Sequence, residues 1–211
     1  TSFIIGERSN FFKVFLIVTV FIFLVNKQNY LKKISILILF SILSTSIIFS
    51  NESFKSRFLD EIFVPLKEKG ISKFIENTKH GLHFEIAKNI FEENKIFGVG
   101  IKNFRNVSKN IKYHSARTME QGNTSHPHQI HFEFLSETGL VGYIVFIIFF
   151  IYSIFYGLKT YFRNRENIFI LSSSLFILAT LLPILPSGSF FTSYSATIFW
   201  INYSFLIIKY K

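Results

Sequence analysis

An all-α membrane protein is the fold class that the sequence predicts: a multi-span helical bundle with a large extracytoplasmic loop that carries amphipathic helices. Composition is the first observation, since 49% of the 211 residues are hydrophobic, 18% are aromatic, and mean hydropathy is +0.37, outside the usual range of a soluble domain. The second is a series of five apolar segments, at about 11–25, 34–49, 139–158, 168–185 and 196–208. The third is the polar stretch between the second and third segments, about residues 50–138, with 13 Lys plus Arg against 11 Asp plus Glu.

Two of the segments fall short of the roughly 17–25 residues that a spanning helix needs. Flanks such as Tyr30-Leu31 and Phe190-Phe191 extend them, and Lys13 can snorkel to the interface. The first segment reads as a span and not as a cleaved leader, because Glu7 and Arg8 follow an already apolar start and no small-residue cleavage site comes after it. The chain opens on Thr1 in mid-hydrophobic sequence, so a C-terminal piece of a larger protein is expected.

Orientation follows from the basic residues. Lys27 to Lys33 carries three Lys and no acid, Lys159 to Glu166 three bases against one acid, and the tail Lys209 and Lys211. Five spans put these three regions on one face, cytoplasmic by the positive-inside rule. The domain reading is therefore two spans in 1–49, an outer loop region at 50–138 and three spans in 139–211, with Arg8 on the outer side too. In a Gram-negative cell that side is the periplasm, and the protein is a multi-pass inner-membrane protein.

Within the outer region, Leu82, Ile86, Ile90 and Phe91 recur at helical spacing while Glu85, Lys88 and Glu92 point away. This predicts an amphipathic helix over about 80–94. Gly98-Val99-Gly100 breaks it, and 106–123 reads as a polar, mobile loop. Next comes His126-Pro127-His128-Gln129-Ile130-His131, leading through Glu133 and Glu137 into Gly139-Leu140-Val141-Gly142. Ser125 suits an N-cap and Pro127 a first turn, which places His128 in the first turn of a helix. There the helix dipole opposes protonation, leaving a neutral imidazole that can accept a proton beside N–H groups that can hold a phosphate oxygen. Glu133 and Glu137, one turn apart, read as a solvated face, and His126 and His131 also fit polar surface positions at a loop–helix junction.

The chain has no Cys, which removes thiolate metal sites. The net charge of +10 accompanies heavy use of Lys, Asn, Ile and Phe, and no nucleic-acid partner is expected. Two other classes fit parts of the pattern. One is a metal-dependent membrane hydrolase using His126, His128, His131 and Glu133. The other is a piece of a transporter, against which stands the scarcity of ionisable residues in the spans apart from Lys13.

These residues resemble the O-antigen ligase and O-antigen polymerase superfamily. Its motif of His, then Asn, Ser or Gln, then nine residues and Gly is matched by His128, Gln129, 130–138 and Gly139, with Gly142 following. Gly98-Val99-Gly100-Ile101-Lys102-Asn103-Phe104-Arg105 and Glu7-Arg8-Ser9 are similar to two further family segments, in the same order. The resemblance implies a GT-C-like membrane glycosyltransferase, metal-independent and without cofactor, that inverts the anomeric carbon. It would move a glycan from undecaprenyl pyrophosphate to a hydroxyl of lipid A-core in a ligase, or of another lipid-linked glycan in a polymerase. Its partners would be that donor, that acceptor and membrane lipids.

By the same analogy His128 activates the acceptor hydroxyl and Arg8 holds the departing pyrophosphate, a task suited to the guanidinium fork. His126, Gln129, Arg105 and His80 complete the expected substrate-binding set. One departure stands out: where family members often carry Arg at the head of the helix before Gly-Val-Gly, this chain reads Lys79-His80-Gly81-Leu82-His83. His80 or Lys79 would substitute there, or Arg105 or Arg117 would reach in.

Overall fold

The computed structural model describes residues 8–25, 29–56, 60, 64, 67, 70, 78–119, 124–183 and 185–208, which form helices joined by turns and contain no strand. The chain divides into two compact units, Thr1–Phe74 and Ile75–Lys211. Each of the five apolar segments carries a helix. Among the described residues, Tyr30–Ser50 and Ile130–Arg163 are long and apolar enough to cross a membrane, and 10–24 and 168–180 are shorter apolar helices.

The first unit contains α1 (Arg8–Leu24), α2 (Tyr30–Ser50) and the short α3 (Glu52–Lys55). Asn29 starts α2 by accepting the N–H of Leu31. Lys33 is buried, and its ammonium donates to the carbonyls of Phe23 (3.1 Å) and Val25 (2.7 Å). These carbonyls lie at the end of α1, where no further helical N–H reaches them, so the ammonium meets the negative end of that helix and ties α1 to α2.

The second unit holds α4 (Lys79–Glu93), α5 (Phe104–Val107), a 3-10 turn at Ile111–Tyr113, α6 (Ile130–Arg163), α7 (Ile168–Thr180) and α8 (Ser193–Ile207). The expected amphipathic helix is present as α4, capped by the Thr78 hydroxyl on the Gly81 N–H. It buries Phe84, Ile86, Ala87 and Ile90 and exposes Lys88 and Glu92. Ile86, Ala87 and Ile90 form a core with Phe104 and Tyr113, and Phe84 stacks on Phe132 at 4.9 Å. A second core joins α6, α7 and α8 through Phe134, Phe146, Phe150, Ile177, Phe199 and Leu206. Where α6 meets α7, Gly157 lies against Ser174, and no side chain fits between them.

Two expectations are corrected. The described part of the 106–123 stretch is not a free loop, because Tyr113, Ser108 and Thr118 are buried. Asn89 donates to the Tyr113 carbonyl, Lys112 pairs with Glu93 (2.6 Å), and Arg117 pairs with Glu85 (2.7 Å), all fastening the stretch to α4. Glu133 and Glu137 are not a solvated face either, for they are 2% and 3% exposed.

The reason for Glu137 lies in a break of α6. Gly139 has φ 64° and ψ −166°, which interrupts the helix and frees backbone groups on both sides of it. The 95–100 segment takes four of these groups. Val99 and Gly100 donate to the carbonyls of Ser136 and Glu137, while Leu140 and Val141 donate to those of Lys95 and Ile96. The Glu137 carboxylate then accepts the N–H groups of Lys102 (2.6 Å) and Phe104 (3.2 Å), so it caps the start of α5.

Candidate functional site

The polar segment before α6 is built upward from Thr124. The Thr124 carbonyl accepts from the Ser108 hydroxyl, and the Thr124 hydroxyl donates to the His126 carbonyl. Pro127 is fully buried, and His128 follows it at φ 59°. That left-handed conformation is uncommon for a residue with a Cβ and persists only where neighbours enforce it. Here the enforcing neighbour is Ser187, whose N–H donates to the His128 carbonyl at 2.7 Å.

The helix starts after His128. Gln129 is its N-cap, with the carboxamide oxygen accepting the N–H groups of His131 (2.7 Å) and Phe132 (3.1 Å). His128 is therefore not in the first helical turn as expected, and Ser125 is not the cap; the Ser125 hydroxyl instead meets Nδ1 of His126 at 3.0 Å. A neutral imidazole is favoured here by burial and by the neighbouring rings, not by the helix dipole.

Four imidazoles converge. The His128 ring lies 4.0 Å from that of His126 and 5.2 Å from those of both His80 and His83, centroid to centroid. Burial among these neighbours pushes His128 down to about 4, with burial the largest cause, then His126, His80 and His83. His83 is lowered by burial and then by His80 and His126; His126 is lowered by burial and then by Arg105 and His80. A charge on His128 is thus disfavoured by all three of the other rings. Nδ1 of His83 and Nε2 of His126 are buried and make no hydrogen bond among the described residues.

The structure thus brings together His128, His126 and His80 from the expected set, and adds His83, which the sequence reading left unassigned. The signal for His83 was present, since positions 80 and 83 share one face of a helix. Arg105 sits exposed on α5, close enough to His126 to disfavour its charge. Gln129 is buried with its oxygen committed to the cap. Arg8 opens α1 in the other unit, and its side chain lies outside the described residues. Of the basic groups that could stand in at the head of α4, His80 lies against His128, Lys79 is exposed and Arg117 pairs with Glu85.

The metal constellation of His126, His128, His131 and Glu133 is not assembled. His131 is half-buried and turned away, with Nδ1 on the Tyr143 hydroxyl (3.0 Å) and Nε2 on the Leu181 carbonyl (2.9 Å). Glu133 faces the segment before α8 instead, where it accepts the Ser189 hydroxyl and the Phe190 N–H (2.8 Å). Ser187, from the same segment, lines an apolar cleft of about 190 Å³ together with Ile130, Phe190 and Phe199.

The site offers a half-buried imidazole, biased toward its neutral form, next to further imidazole nitrogens. That arrangement can remove a proton from a hydroxyl, and Arg105 adds a positive charge near His126. A family model described as O-antigen ligase matches residues 2–147, a stretch that includes Gly98, His128 and Gly139. No curated protein matches the chain, and no solved structure matches it.

Proposed function

The chain belongs to the O-antigen ligase family, and we propose that it is a membrane glycosyltransferase of the ligase type, serving lipopolysaccharide biosynthesis at the bacterial inner membrane with 50–138 on the periplasmic side. The donor is a glycan on undecaprenyl pyrophosphate and the acceptor a hydroxyl of lipid A-core. The observation that carries this reading is His128, held in a left-handed backbone and kept neutral among three other imidazoles. A general base must be unprotonated when substrate arrives, and the family match runs through the residue.

In the proposed step the acceptor oxygen attacks the anomeric carbon from the face opposite the pyrophosphate. A carbon–oxygen bond forms, the bond to the pyrophosphate oxygen breaks with its electron pair leaving on that oxygen, and the hydroxyl proton passes to the imidazole of His128. His126, His83 and His80 supply polar nitrogens around the reacting groups, and Arg105 adds positive charge nearby. The resemblance assigns Arg8 to the departing pyrophosphate and Gln129 to substrate binding. The cap made by Gln129 supports an indirect contribution, since it fixes the helix start directly after His128.

Expression in a strain lacking its own ligase, followed by gel separation of lipopolysaccharide, tests the reading. Long-chain bands should return with the full-length wild type and vanish with His128→Ala, and the purified enzyme should be indifferent to chelator. Full activity of a well-expressed His128→Ala protein would remove His128 from catalysis. Failure of the wild type in this strain, with chain extension seen when a lipid-linked glycan is the acceptor, would favour the O-antigen polymerase of the same superfamily.

A further inference from the structure

Glu133 is a buried carboxylate with no cation within ion-pairing reach among the described residues, and both of its oxygens are used on one short segment. The Ser189 hydroxyl donates to one oxygen and the Phe190 N–H to the other. Two residues earlier in that segment, the Ser187 N–H donates to the carbonyl of His128. A continuous chain of bonds therefore runs from Glu133 through 187–190 to the backbone of His128. Removing the Ser187 donor would free a residue that otherwise has little reason to stay left-handed.

We propose that Glu133 is a positioning residue for His128: by holding Ser189 and Phe190 it fixes the 187–190 segment, whose Ser187 N–H holds the His128 backbone and so aims the imidazole. This rests on the reading of His128 as the base. The chemistry of the pair sets what can replace it. Gln can accept the Phe190 N–H with its oxygen and donate its amide to the Ser189 hydroxyl, because a hydroxyl also accepts. Leu leaves both donors buried and unmatched.

The test uses the full-length protein in lipid nanodiscs, with an isoprenoid-pyrophosphate-linked glycan as donor and lipid A-core as acceptor. Glu133→Leu should lower kcat by about tenfold to a hundredfold, the effect of displacing a reacting group by around an ångström, with donor KM little changed. Its acid limb in the pH–rate profile should move up toward the ordinary imidazole value of about 6.5, as His128 leaves the cover of His80, His83 and His126. Glu133→Gln should restore most of kcat and the original limb.

A folded Glu133→Leu protein with wild-type kcat overturns the proposal, and so does a loss of activity with the acid limb unmoved and Gln no better than Leu. If Leu yields no folded protein, Ser189→Ala removes one of the two donors and should shift kcat and the limb in the same direction; an unmoved limb there also overturns it. His128→Ala in the same assay separates the two readings. Full activity of that variant overturns the role of His128 itself, whereas its inactivity beside an unaffected Glu133→Leu overturns only the positioning role.

Discussion

Gly98 and Gly139 pass so closely that neither has room for a side chain. A Cβ on Gly139 would run into the backbone of Ile96 and the N–H of Gly98, and a Cβ on Gly98 into the backbone of Glu137 and Thr138. Both residues have positive φ, 66° and 64°. The approach is what lets residues 95–100 satisfy the backbone groups freed by the break in α6. Gly98→Ala and Gly139→Ala each combine left-handed strain with a clash against backbone, so each should cost about 3 kcal/mol or more. Thermal unfolding of the purified full-length protein followed by fluorescence checks this, with Gly70→Ala as the contrast, since a Cβ there meets nothing within 4 Å. Equal melting temperatures for all three variants would remove the close approach as a determinant of the fold.

What could be read from the chain, and what could not, divides along the range of the interactions. The helix at Lys79–Glu93 was legible because its apolar period and the Thr78 cap are local. The five apolar segments were legible by composition, and the spacing from His128 to Gly139 picked out the region of the imidazole cluster. The start of α6 was misplaced because Ser125 and Pro127 are good local signals for a helix, while the contact that decides otherwise comes from Ser187, far along the chain. Glu133 and Glu137 looked solvated for the same reason. Three of their partners are backbone N–H groups, of Phe190, Lys102 and Phe104, which carry no side-chain signature in a sequence, and the fourth, the Ser189 hydroxyl, lies far along the chain from Glu133.

Glu137 should behave as a structural carboxylate whose loss is felt in the 98–107 region. Glu137→Ala strips the buried Phe104 N–H and the part-buried Lys102 N–H of their acceptor. Lys102 also has positive φ, 62°, so the turn it occupies depends on that acceptor. A loss of about 2–4 kcal/mol is expected from two charge-assisted bonds. Hydrogen exchange should show amides 102–107 opening well before those of α4. Protection of 102–107 as strong as in the wild type would contradict the capping role.

Gln129 should act through its cap. Gln129→Ala removes the acceptor for the His131 and Phe132 N–H groups and should cost about 1 kcal/mol of stability. Gln129→Asn and Gln129→Ser keep an oxygen near the same N–H groups and should recover part of that loss. Transfer activity should follow the same rank, Gln ahead of Asn or Ser and Ala last, because a frayed first turn loosens the residue before it. An Ala variant as stable as wild type but inactive would instead point to direct substrate contact by the Gln129 amide.

The pH dependence of transfer should carry the signature of the imidazole cluster. His128 is pushed down to about 4 by burial first and then by His126, His80 and His83. A base works when unprotonated, so activity should hold as pH falls through the ordinary imidazole range near 6.5 and fail only toward pH 4. Stability has the opposite profile over that window. An imidazole depressed in the folded state takes up its proton first in the unfolded chain, so stability should decline from about pH 6.5 toward pH 4 and then level off as the folded protein protonates too. Replacing His83 or His126 by Gln removes a neighbour that competes with His128 for a proton and should raise the acid limb. Gln at either position should also soften the stability decline, since one group fewer titrates differently in the two states. The two curves, rate and unfolding free energy against pH for the wild type and both variants, decide the matter together. An acid limb at 6.5 in the wild type would mean that His128 is solvated during catalysis, and a limb at 4 that stays put in both variants would leave burial and His80 as its causes.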